Sequence, residues 1–170
     1  MRRLAAAGIL TAVAMGACGD DSGRPDPADQ PGDDVISATL DELWSASGVD
    51  VSQVSTSDYR WRFEPNTRGC ADLPIDDRWL GVRTSSAPPG LGEQQALEAS
   101  ISGYLEDDGF TVEHFRSAHP DGSTRALDAV SDDMRVYVYL SADGFTDVTV
   151  QAGPCAPTFG GIGEQFEPDA

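Results

Sequence analysis

Apolar and polar positions change rhythm several times along this chain, and each rhythm predicts an element. An apolar run over 4–15 follows Arg2 and Arg3, and is shorter than the roughly 20 residues that a membrane-spanning helix needs. Leu40, Leu43 and Trp44 share a helical face before Gly48, and Thr39 with Glu42 forms a capping-box pattern at the expected helix start. Residues 59–64 alternate aromatic and charged side chains with period two, which predicts a half-buried strand with Tyr59, Trp61 and Phe63 inward. A second strand is expected over 78–84, interrupted by Gly81. Past Pro88-Pro89-Gly90, the spacing of Leu97, Ile101, Tyr104 and Leu105 predicts a helix over 93–108, stopped by Gly109. Strands over 110–116 and 124–130 follow.

The last two strands, 135–140 and 145–150, flank Ala142-Asp143-Gly144. A two-residue turn would set Val138 against Thr149 and Leu140 against Asp147, mixing apolar with polar or charged partners. A three-residue loop with Gly144 left-handed pairs Val136 with Val150 and Val138 with Val148, and puts Tyr137 opposite Thr149 and Tyr139 opposite Asp147. The second register separates the faces cleanly and is the one expected. Strands in runs separated by two helices imply a single α+β domain: a mostly antiparallel sheet with about two helices packed on one face.

Length and composition refine the boundaries. The 170 residues carry a net charge of −18, with no lysine. Such a surface repels phosphate backbones and anionic headgroups, so no nucleic-acid partner is expected. Residues 19–34 contain six aspartates, three prolines and no large apolar side chain, a composition that predicts a disordered tether. Its root-mean-square reach is about 20–24 Å. The tail, 156–170, is rich in glycine and proline and is expected to be flexible. The globular domain is therefore assigned to 35–155.

A basic start, an apolar run and small residues before a cysteine read as an export signal over 1–17. The segment Met15-Gly16-Ala17-Cys18 resembles the lipobox of bacterial lipoproteins, which implies acylation of Cys18 and attachment to the extracytoplasmic face of the cell membrane. The order of parts is similar to that of small uncharacterised exported lipoproteins of high-GC Gram-positive (actinobacterial) bacteria. The shared parts are a signal ending at Cys18, an acidic Pro/Asp-rich tether, a helix running through Gly109-Phe110 into a strand, the hairpin, and the closing Gly153-Pro154-Cys155. That resemblance implies a location and a fold style, and no activity. With Cys18 set aside, Cys70 and Cys155 form an even pair in an oxidising compartment. Neither lies in a Cys-x-x-Cys pair or near a histidine, so a disulfide is expected, worth about 4–5 kcal/mol in the chain-entropy model.

Candidate chemistry is sparse. There is no Gly-x-Ser-x-Gly elbow, no phosphate loop and no His-Glu-x-x-His spacing. His114 is expected to be a partly buried structural histidine beside Phe110 and Val112, and His119-Pro120-Asp121-Gly122 a turn. The pairs Asp76-Asp77, Asp107-Asp108 and Asp132-Asp133 lack the spaced calcium-loop pattern. No catalytic residue, metal or cofactor is assigned. Aromatics on strands remain, and Arg135, Tyr137 and Tyr139 are the expected binding face. The function expected is non-enzymatic binding or scaffolding of an envelope protein or small ligand. The alternatives are an acidic inhibitor-like or immunity-like module that binds a basic protein, and a hydrolase with dispersed carboxylates.

Overall fold

The computed structural model describes residues 31–63, 70, 72–74, 77–90, 93–117, 124–158 and 166–168. The leader, Cys18 and most of the expected tether lie outside the described residues, as do Asp76 and the turn at His119.

Helix α1 (Asp33–Ala46) begins six residues before Thr39. Ile36 continues the stripe of Leu40, Leu43 and Trp44 by one more turn, all four being buried, and Asp33 and Asp34 complement the dipole in the first turn. Thr39 is therefore interior to the helix, where its hydroxyl donates to the Val35 carbonyl at 2.9 Å, and it caps nothing. Two residues assigned to the tether, Asp33 and Asp34, belong to this helix.

Strands β1 (Ser55–Thr56), β2 (Arg60–Phe63) and β3 (Trp79–Ala87) follow. Then come α2 (Gln94–Asp107), β4 (Thr111–Ser117), β5 (Arg125–Val130), β6 (Met134–Leu140), β7 (Thr146–Ala152) and β8 (Phe166–Pro168). The fold is α+β. Among the described residues all eight strands join one sheet in the order β1-β3-β7-β6-β5-β4-β8, with β2 also on β3, and every pairing is antiparallel. The tail expected to be flexible thus supplies an edge strand, since Phe166–Pro168 pairs with Phe115, Arg116 and Ser117 of β4.

The β6–β7 hairpin has the expected register: Val136 opposite Val150, Val138 opposite Val148, Tyr137 opposite Thr149 and Tyr139 opposite Asp147. Gly144 sits at φ 89°, the left-handed conformation that the three-residue loop requires and glycine adopts without strain. Those four valines are no more than 1% exposed. With Leu127, Ala129 and Leu140 they form the floor on which both helices rest through Ile36, Leu40, Leu43, Leu97, Ile101 and Leu105.

Gly81, which breaks the strand pattern of β3, has a packing reason. A Cβ there would collide with the ring and hydroxyl of Tyr59. The missing side chain lets the phenol lie across β3 and donate to the Pro31 carbonyl, just ahead of α1. On the other face, Cys70 and Cys155 are joined with their Cα atoms 5.4 Å apart across 85 positions of sequence. They cluster with Leu80 and Ala156 beneath Leu73 and Val82, a small second core that clips the loop before β3 to the end of β7.

Alternation along β6 generates a clear stability contrast. Val138→Asp would bury a carboxylate with no partner and should cost at least about 4 kcal/mol or prevent folding, whereas Tyr139→Thr, at a position facing solvent, should cost on the order of 1 kcal/mol. Urea unfolding of both variants checks the difference, and similar losses would contradict it.

Candidate functional site

Three polar assemblies stand out once the two faces of the sheet are separated. The first lies under α2. Positions 98 and 102 are one helical turn apart and project to one side, while His114 of β4 and Arg125 of β5 rise from the helix-covered face, on the same side as Val112 and Leu127. Glu98 is 5% exposed. One of its carboxylate oxygens accepts from Arg125 Nη1 at 2.6 Å, and the other lies 3.1 Å from His114 Nδ1. The remaining ring nitrogen, Nε2, is 3.2 Å from Ser102 Oγ. A carboxylate only accepts, so Nδ1 carries the proton. The Ser102 hydroxyl lies between this nitrogen and Glu106, to whose Oε1 it donates at 3.4 Å.

Serine, imidazole and carboxylate in that order are the parts of an acyl-transfer relay. Such chemistry also needs donors aimed at a developing oxyanion. Ser102 sits well inside α2, where the surrounding backbone N–H groups are committed to the helical ladder. The arrangement therefore suits docking of α2 onto β4 and β5. Sequence reasoning placed His114 on this face but missed its partners. The signal was the one-turn spacing of Glu98 and Ser102 on the flank of the apolar stripe.

The second assembly lies on the opposite face, at the residues expected to form a binding surface. Arg135 is not a surface group: its guanidinium grips Asp128 with two hydrogen bonds, Nε to Oδ1 at 2.8 Å and Nη2 to Oδ2 at 2.5 Å. It also donates to the Pro157 carbonyl at 3.2 Å and lies 5.0 Å from the centre of the Tyr137 ring. Hydrogen bonding to Asp128 holds its pKa above the ordinary guanidinium value. Burial pushes the Tyr137 phenol up to about 12, opposed by Arg135 and reinforced by Asp128. Tyr139 alone of the three is well exposed, at 40%. The expected face is thus divided into an internal ion pair, a half-buried ring stacked on it, and one outward tyrosine.

The third assembly is a cleft of about 820 Å³ where β4 begins and β5 turns into β6. Asp108, Glu113, Asp128, Asp132, Asp133 and Arg135 line it, over an apolar base that includes Phe110 and Met134. The fold thereby gathers Asp108 with the Asp132-Asp133 pair, which are remote in sequence, whereas Asp77 stands apart and exposed. A groove of about 490 Å³, lined by Val112, Glu113, His114 and Pro168, adjoins the cleft through Glu113. Among the described residues, no group of three or more histidine, cysteine or carboxylate side chains is arranged to hold a metal ion.

No family model matches the chain, and no curated protein is detectably similar to it in sequence. Among solved structures it is similar to a DUF4853 family protein from Actinomyces odontolyticus, with 15% identity and a TM-score of 0.46 over 77% of this chain and 67% of that one. That likeness carries no functional inference.

Two measurements probe these assemblies. Glu98→Leu alone should destabilise the protein by about 2–4 kcal/mol, because Arg125 and His114 lose a buried partner. Adding Arg125→Leu should cost less than the sum of the single losses, with a coupling of about 1–3 kcal/mol in a double-mutant cycle. Strict additivity would show that the pair does not act as a unit. In alkali the folded state holds the Tyr137 proton that the unfolded chain releases near pH 10, so stability falls as pH rises from there through about 12. Tyr137→Phe should make that fall shallower in unfolding curves.

Proposed function

We propose that this chain is a lipid-anchored binding protein of the extracytoplasmic membrane face. The observation that carries the reading is the joining of Cys70 to Cys155. A disulfide closing so long a loop belongs to an oxidising compartment, and it accounts for two of the three cysteines. The third, Cys18, is the residue that the lipobox-like segment would acylate. Among the described residues no helix is long and apolar enough to cross a membrane, and two or three acyl chains at Cys18 would give stable attachment where one gives marginal binding.

Binding is favoured over catalysis by how the polar groups are used. The Ser102-His114-Glu98 set is engaged in packing α2, while the cleft beside β4 gathers carboxylates at the surface.

Fractionation of expressing cells checks the anchor. Wild-type protein should sediment with membranes, with a mature N-terminus at Cys18 carrying acyl mass, and Cys18→Ser should be released or retain its leader. Peptide mapping without reductant should show Cys70 linked to Cys155. A cytosolic protein with an intact leader and two free thiols would refute the proposal.

A further inference from the structure

Twice among the described residues a tyrosine ring and a carboxylate hold an arginine between them. Arg135 lies 5.0 Å from the centre of the Tyr137 ring while its guanidinium grips Asp128 on the neighbouring strand. Arg83 lies 5.7 Å from the centre of the Tyr59 ring, with Nη2 at 2.9 Å from Asp33. The same kinds of side chain meet again at the loop end of the β6–β7 hairpin. Tyr139 is directly opposite Asp147, on the face away from the helices, and opposed positions bring Cβ atoms to about 5 Å. Strand pairing extends one residue into the loop, because Ser141 N donates to the Phe145 carbonyl at 2.9 Å. Period two then puts Phe145 on the side of Asp147 and diagonal to Tyr139, within reach of an aromatic ring. Tyr139 is 40% and Phe145 48% exposed, and among the described residues no cation pairs with Asp147. The loop that carries Phe145 is braced. Phe145 N donates to Ser141 Oγ at 3.1 Å, and the Gln94 side chain at the start of α2 donates to the Ser141 carbonyl.

We infer that Tyr139, Phe145 and Asp147 form a docking surface for a partner protein, with an arginine of that partner set against the rings and its guanidinium on Asp147. A guanidinium is planar, stacks on aromatic faces and gives paired hydrogen bonds to a carboxylate, which a lysine ammonium does not match. Tyrosine and arginine dominate the hot spots of protein interfaces, and a ring on a braced loop loses little freedom when it binds. The rings stand outward at a hairpin end, so a protein surface can lie across both. Charge selects the occupant. Asp143 lies in the same loop, and a chain of net charge −18 repels a second copy of itself and draws a basic partner. The inference rests on the reading of the chain as a binding protein and names its partner class. It does not depend on the anchor, because the test is done on purified protein.

The experiment uses the full chain in a nonionic detergent and a synthetic peptide with one arginine between two valines, beside otherwise identical peptides carrying lysine or citrulline. Backbone amide signals are followed during titration at low and high salt. The expected result is saturable movement of the signals of Tyr139, Phe145 and Asp147, with affinity falling as salt rises. Citrulline keeps the shape of arginine without its charge and should bind about fivefold more weakly, with lysine between the two. Asp147→Asn should weaken the arginine peptide by about fivefold. Phe145→Leu, which keeps apolar bulk and removes the ring, should weaken it by about threefold. Both variants should keep the wild-type amide spectrum away from the hairpin, and the peptide series tests the site on the wild-type chain as well. Equal binding of citrulline would show apolar adhesion and overturn the assignment of arginine. Unchanged affinity in both variants, no movement of these signals, or self-association of the chain that covers them would overturn the site. Movement confined to Asp108, Asp132 and Asp133 would do the same, while leaving the reading as a binding protein in place.

Discussion

Register between β6 and β7 is the constraint on which the rest of this structure depends. Strand side chains alternate with period two, so a slip of one residue would bring Thr149 and Asp147 onto the face of Val138 and Leu140 and send Val148 and Val150 to the opposite one. Fixing that register fixes the faces of β5 and β4 in turn, through Leu127 opposite Val138 and His114 opposite Leu127. His114 and Arg125 then stand under α2, where Glu98 meets them, and Glu113 and Asp128 stand on the other face beside Arg135. Both polar assemblies are consequences of one alternation.

The helices are held on this floor by directional contacts as well as apolar packing. Each helix carries a carboxylate that engages an arginine of the helix-covered face: Asp33 with Arg83 at 2.9 Å and Glu98 with Arg125 at 2.6 Å. Arg83 also donates to Ser37 at 2.8 Å, and the buried Trp44 indole donates to Ser85 on β3 at 3.0 Å. These directional contacts set where along the sheet each helix stops.

How far the sequence revealed this architecture follows the physics of each element. The hairpin was legible because two strands and their loop are contiguous, and the two registers differed in which pairs they would bury. Helix α2 was legible from its stripe and from Gly109. The start of α1 was not: Thr39-Glu42 mimics a cap, and Asp33 and Asp34 look like more of an acidic tether until the stripe is extended back to Ile36. Strand β8 was obscured because a three-residue edge strand carries little periodicity and is stabilised by its neighbour β4. Arg135 was expected beside exposed tyrosines, yet Asp128, which draws it inward, comes from a different strand. The Glu98 cluster and the acidic cleft were hidden for the same reason. Each is assembled from residues on separate elements, and strand order decides which carboxylate meets which cation.

Charge is distributed unequally between the interior and the surface, and this bears on what the surface can recognise. Arg83, Arg125 and Arg135 each join a carboxylate across two elements, so a share of the chain's few cations acts in holding the fold. With Lys+Arg at 11 against Asp+Glu at 29, each such pair withdraws one cation and one carboxylate together, and the full excess of negative charge is left to the carboxylates that remain. The field is concentrated where low-dielectric walls narrow the solvent around it, which in this fold is the cleft at the start of β4. An acidic partner would have to overcome that field before making any contact. A basic group is drawn to the same place by the same field.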